Sequence, residues 1–194
     1  MTRLLAVVLF SSLFLVSCNM PSTHSLHAER QPFRSVSVSN PLFAPTVGQR
    51  FAWYTPAVTW ATTDPIAANS AIEQSIIQTI EKELTARGYT MSTAPEEADF
   101  IIGMVITTDD YKGSQAFTQY FNLSATSTHK KTARALVGIF EQKYWGAAPP
   151  PSDALIWKAD LETRILDDAT PQNIKIDRAK ILTARLMSGL PHGK

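Results

Sequence analysis

The stretch Ala98-Asp99-Phe100-Ile101-Ile102-Gly103-Met104-Val105-Ile106 decides the fold. It is too short for a typical buried helix and rich in branched side chains, so it predicts a central strand buried on both faces or nearly so. Such a strand needs sheet neighbours and helical cover, and the residues before it supply both. Between Ser70 and Arg87, Ile72, Ile76, Ile80 and Leu84 recur at every fourth position with Ile77 beside them, making one apolar helical stripe. Ser70 and Glu73 are spaced as a capping box, and Gly88 stands where a left-handed C-cap residue belongs. Further upstream, Phe51-Ala52-Trp53-Tyr54-Thr55, bounded by Gly48 and Pro56, reads as a short aromatic strand. Strand 51–55, helix 70–87 and strand 100–107 then form a β-α-β unit.

The flanks extend this unit into an α+β domain. Residues 34–39 alternate polar and branched apolar side chains, which predicts a half-buried strand at a sheet edge. Asp64-Pro65 marks a turn. Leu136–Tyr144 reads as a strand, and Gly146–Pro151 as a loop, because proline cannot donate to a ladder. Leu155, Trp157, Ala159, Leu161, Thr163 and Ile165 then alternate with Ile156, Lys158, Asp160, Glu162 and Arg164, a strand with one mostly wet face that pairs antiparallel with 136–144. A last helix spans about 171–188, with Thr170 as N-cap, Pro171 at the first helical position, and Ile176, Ala179, Leu182, Leu186 and Met187 on its buried side. Gly189 and Pro191 stop it. Residues 108–134 are polar and weakly patterned, with Gln119–Thr128 a candidate strand. The sum is a mostly antiparallel sheet with one β-α-β unit and two helices packed on one face.

The amino terminus gives an address. Arg3 precedes an almost wholly apolar run, Leu4 to Val16, broken only by Ser11 and Ser12. That run is shorter than the ~20 residues of a membrane-spanning helix and has the layout of a secretory signal. It ends in Leu15-Val16-Ser17-Cys18, and Cys18 is the only cysteine of the 194 residues. The string resembles the bacterial lipobox, which implies cleavage between Ser17 and Cys18 and a diacylglycerol on the Cys18 sulfur. A plain signal peptide with a chance cysteine, or an uncleaved anchor, is the alternative. Asn19 follows in place of the aspartate that retains Gram-negative lipoproteins in the inner membrane, so in such an organism the expected location is the periplasmic face of the outer membrane. The chain divides into a signal peptide at 1–17, the lipidated cysteine with a flexible tether at 18–32, and one domain at 33–191.

Composition excludes some functions. The formal net charge is +1, from 18 basic and 17 acidic residues, whereas nucleic-acid binding calls for a strong basic excess. No serine-hydrolase elbow, phosphate loop or zinc-protease motif is present. His24 and His27, in the tether, read as part of a solvated spacer rather than a metal site. His129, beside Lys130, Lys131 and Arg134, could bind an anion but reads first as a solvated basic loop. Asp109-Asp110 and Asp167-Asp168 are neighbours on the chain, so along a strand they point to opposite faces; turns and helix starts account for them. His192 lies in the tail. No metal, cofactor or catalytic residue is assigned, and the expectation is a protein that is not an enzyme. Trp53 and Trp157 read as core residues. Trp60 and Trp145, near loops, are the candidates for a partner or ligand surface. Two functions stay open: a protein-binding or envelope-assembly component, held to the membrane by the lipid on Cys18, or a periplasmic lipid or small-molecule binding domain. An exposed apolar patch centred on Trp60 or Trp145 would favour the first, and an apolar cavity with a few polar groups the second.

The order of these features resembles the bacterial lipoproteins of the domain of unknown function 4136 family. The resemblance rests on the lipobox, Phe51-Ala52-Trp53, the helix ending Leu84-Thr85-Ala86-Arg87-Gly88-Tyr89, Glu97-Ala98-Asp99, Ile156-Trp157-Lys158, and the last helix running into Gly189-Leu190-Pro191. It spans roughly 33–191 and leaves out the segment 108–134 and the triple-proline loop. It implies an envelope lipoprotein and carries no activity onto any named residue.

Overall fold

The computed structural model describes residues 33–62, 69–108, 132–146, 154–166 and 168–194. Ser17, Cys18, the tether, Asp64-Pro65, Asp109-Asp110, Gln119–Thr128, His129, the triple proline and Asp167 lie outside them. The described strands and α-helices are β1 (Phe33–Ser39), β2 (Arg50–Ala61), α1 (Ser70–Ala86), β3 (Thr90–Met91), β4 (Phe100–Thr107), β5 (Thr132–Glu141), β6 (Leu155–Arg164) and α2 (Gln172–Met187). The strands form one six-stranded sheet in the spatial order β1-β6-β5-β4-β2-β3. Its β1/β6, β6/β5 and β5/β4 pairings are antiparallel, and β4/β2 and β2/β3 are parallel. The sheet is therefore mixed, with three antiparallel pairings against two parallel ones.

β4 is the centre that its apolar run predicts: every residue from Ile101 to Thr107 is buried. Alternate residues serve two cores. On one face Ile102, Met104 and Ile106 join Ile76, Ile80 and Leu84 of α1 and Leu186 and Met187 of α2. On the other, Ile101 joins Ala52, Phe140 and Ala154 in a smaller cluster, with Tyr54 edge-on to Phe140 at 5.9 Å.

α1 starts one residue earlier in its capping than the sequence suggests. Asn69, not Ser70, is the N-cap, and its Oδ1 accepts from the backbone N–H groups of Ala71 (2.9 Å) and Ile72 (3.4 Å). Asparagine ranks with serine as a cap. Glu73 is not part of a capping box, because its carboxylate accepts the indole N–H of Trp60. The other end matches: Gly88 has φ of +90°, its N–H reaches the Thr85 carbonyl, and the Tyr89 N–H reaches that of Leu84, the paired bonds of a Schellman cap.

Three other expectations are corrected. β2 does not end at Pro56; it breaks register between Trp53 and Val58, around a cis Thr55–Pro56 peptide, and resumes pairing with β4. A residue with no N–H interrupts a ladder without ending the strand. The last helix begins at Gln172 with Pro171 as N-cap and no side-chain cap, so Thr170 does not cap it, and Ile174 rather than Ile176 is buried. β1 is the edge strand expected, but it is exposed throughout rather than half-buried. Its serines pair with Trp157, Ala159 and Leu161 on the helix side, which leaves Val36 and Val38 on the far face, 50% and 53% exposed.

Serine on that inner face has a steric reason. A Cβ built on Gly189 would lie 2.8 Å from Ser37 Cβ and closer still to its Oγ. The turn after α2 thus closes onto β1 only because both residues are small. Gly189→Ala is expected to destabilise by about 1–3 kcal/mol through overpacking, read from denaturation midpoints. Ser37→Gly in the same chain should restore most of the loss; a double variant no better than the single one would place the strain elsewhere.

Candidate functional site

Two tryptophans fasten β2 to α1. Trp53 Nε1 donates to Glu81 Oε1 at 3.0 Å, and Trp60 Nε1 donates to Glu73 Oε2 at 2.8 Å. Indole is a donor with an apolar body, so each ring can pack against the core while its N–H meets a carboxylate. Trp53 is half-buried against the core rather than within it, whereas Trp157 is fully buried.

Trp60 also forms part of the wall of a cleft of about 300 Å³ between the sheet, the first turns of α1 and the length of α2. That size is at the low end for small-molecule sites. α1 contributes Asn69, Ile72 and Ile76, β4 and its end contribute Met104, Ile106 and Thr108, β5 contributes Ala133 and Ala135, and β6 contributes Leu161 and Thr163. From α2 come Gln172, Lys175, Arg178, Ala179, Leu182, Thr183 and Leu186, which are spaced to share one helix face. Asp168 stands beside them. The lining is mostly aliphatic, with a few polar groups gathered towards the start of α2.

Arg178 is the unusual member of this lining. It is 6% exposed, and its Nη2 donates to Thr163 Oγ1 at 2.6 Å. Burial pushes its pKa below the ordinary value, yet a guanidinium keeps its proton in proteins, so the group stays cationic. Lys175 lies one turn nearer the helix start and donates to the Asp168 carbonyl at 3.3 Å. Next to the cleft, the Thr62 and Thr108 hydroxyls share a 2.5 Å hydrogen bond that joins the ends of β2 and β4.

Trp60 and Trp145 are not brought together. Trp60 pairs with Ile106 at one end of β4. Trp145 follows β5 beyond Glu141, which pairs with Phe100 at the other end, and it is 43% exposed. His192 is exposed in the tail, and Asp168 is exposed at the cleft mouth. Among the described residues no group of three His, Cys, Asp or Glu side chains is placed to hold a metal ion, and no helix is long and apolar enough to cross a membrane. Arg178 has no motif to mark it in the sequence, and its one signal is spacing: Ile174, Arg178 and Leu182 lie four residues apart, so the charge falls on the apolar stripe.

Among the described residues, the fold and cleft define an α+β domain with two α-helices over one face of a mixed sheet and a small apolar cavity between sheet and helices. The chain belongs to the family described as a domain of unknown function, DUF4136, whose model matches residues 45–191. No curated protein matches it. Among solved structures it is similar to a DUF4136 family protein from Bacteroides thetaiotaomicron, at 12% identity and a TM-score of 0.51, over 79% of this chain and 95% of that one. It is also similar to the PelC dodecamer from Paraburkholderia phytofirmans, at 13% identity and a TM-score of 0.48, over 84% of this chain and all of that one. At such identities the likeness to the Bacteroides protein is one of fold.

Proposed function

We propose that this chain is an envelope lipoprotein, anchored through Cys18, whose domain is a non-catalytic module that binds a small apolar or amphipathic molecule in the cleft between sheet and helices. The cleft carries this reading: an aliphatic cavity with a few convergent polar groups is the usual form of a small-molecule site. The lipobox string around Ser17 and Cys18 supports the anchor, with the outer membrane as the location in a Gram-negative organism. The test is chemical analysis of what the full-length protein carries when purified from its own membranes. Leu182→Trp, which fills the cavity from α2, should reduce a bound small molecule at least tenfold while the circular dichroism stays native. A molecule retained equally by the wild type and this variant would place binding elsewhere.

A second reading, docking of another envelope protein, is favoured by β1, an edge strand of seven exposed residues without proline or lysine. Cross-linking in intact cells at native level, with Cys18→Ser as control, is expected to capture one dominant partner if that surface is used. Capture unchanged by the control would separate docking from anchoring.

A further inference from the structure

The cleft has a direction. Each wall runs from a half-buried polar group to a buried apolar one: Asn69 to Ile76 on α1, Thr108 to Met104 along β4, and Lys175 to Leu186 on α2, with the Thr183 hydroxyl also at the deep end. An occupant that satisfies all three walls has a polar head at the helix starts and an apolar tail between Met104 and Leu186. The sign of the head follows from the mouth. Among the described residues of the lining, Arg164, Lys175 and the buried Arg178 are cationic and Asp168 is the one carboxylate; Glu73, outside the lining, has an oxygen engaged by the indole N–H of Trp60. The start of α2, which has no side-chain cap, adds partial positive charge at the same end. The size follows from the volume: about 300 Å³, at ~30 Å³ per water-sized group, holds roughly ten such groups. That suits one short alkyl chain.

We infer that the cleft takes a single-chain anionic amphiphile, tail inward, with its head held by Lys175 and Arg178. This rests on the cleft-binding reading above and adds charge, orientation and chain number to it. Carboxylate and phosphate heads share the recognising chemistry, and the probes below separate them.

The experiment is calorimetric titration of the full-length protein in phospholipid nanodiscs, with empty nanodiscs subtracted. The probes are decanoate, decyl phosphate, decan-1-ol and decyltrimethylammonium. At least one anion is expected to bind ten-fold or more tighter than the alcohol, and the better anion names the head. Lys175→Gln, a change at the mouth that leaves the floor intact, should cut that preference about five-fold while decan-1-ol binding stays within two-fold. Arg178→Gln should abolish the preference, with circular dichroism reporting its fold. Equal binding of anion and alcohol, or tighter binding of the ammonium, overturns the inference and leaves the cleft reading standing. No saturable binding of any probe overturns both.

Discussion

Replacing Trp157 by alanine lowers the unfolding free energy by about 3–5 kcal/mol, the largest loss expected from a single residue of this chain. Trp157 is 1% exposed on β6, between Ser39 of β1 and Ile139 of β5. Its ring belongs to the core that holds Leu186, Met187 and Leu190, and its Nε1 donates to the Gly189 carbonyl at 3.3 Å. One side chain therefore joins the sheet to the end of α2 by area and by a hydrogen bond. Alanine removes both and leaves a cavity that the close-packed side chains around it fill only in part. Trp157→Phe keeps most of the area and loses the donor, which should cost about 1 kcal/mol. Trp145→Ala, at an exposed site, should stay within about 0.5 kcal/mol of wild type. Denaturant midpoints with unchanged slopes order the three variants. A Trp157→Ala loss near that of Trp145→Ala would mean that α2 is not seated on β6 as described. Domains of this size have about 5–15 kcal/mol in total, so the change is large enough to empty the folded state under mild heating.

The parts of this fold that were legible in the sequence are those in which one residue pattern has one structural meaning. The run 98–106 reads as a central strand buried on both faces or nearly so, and β4 is that strand. Gly88 after an amphipathic stripe marked the end of α1 because a Schellman cap requires its positive φ. Other elements were illegible for stated reasons. Pro56 reads as the end of a strand, yet a missing N–H interrupts β2 only until pairing resumes at Val58. The alternation in 34–39 establishes two faces and does not say which is inward; that choice depends on Gly189, 150 positions or more away along the chain. The cleft was the least legible feature. Its walls come from separate elements whose polar-to-apolar gradients are each unremarked until the sheet and the two helix starts bring them side by side.

Removing the Arg87 side chain is expected to cost about 2–3 kcal/mol and to loosen the carboxyl-terminal tail before the rest of the domain. Arg87 is 9% exposed at the end of α1. Its Nε donates to the Leu190 carbonyl at 3.2 Å, and its Nη1 reaches both the Glu83 carbonyl (2.7 Å) and the Glu83 carboxylate (2.6 Å). The tail is held around this group. The Tyr89 hydroxyl donates to the Pro191 carbonyl at 2.9 Å, the Gly193 N–H to that of Arg87, and the Lys194 N–H to that of Pro45. Burial pushes the Tyr89 phenol up to about 12, against the smaller opposing effect of Arg87, so its donor persists through neutral pH. The sign follows: the phenol's contribution is whole below its unfolded value of about 10 and is lost as pH rises through about 12. Two accounts of Arg87 predict different sizes. If it matters only as a helical ion pair with Glu83, four residues earlier, Arg87→Met costs about 0.3–0.5 kcal/mol. If it is the peg on which the tail hangs, the cost is several times larger, and amide exchange at Leu190, Gly193 and Lys194 and at Val47 and Gly48 accelerates ahead of exchange in β4. Arg87→Lys discriminates further, because an ammonium can keep the ion pair but cannot reproduce the planar fork that reaches Leu190 and Glu83 together. The lysine variant should therefore retain the smaller part of the stability and still show the accelerated exchange of the tail.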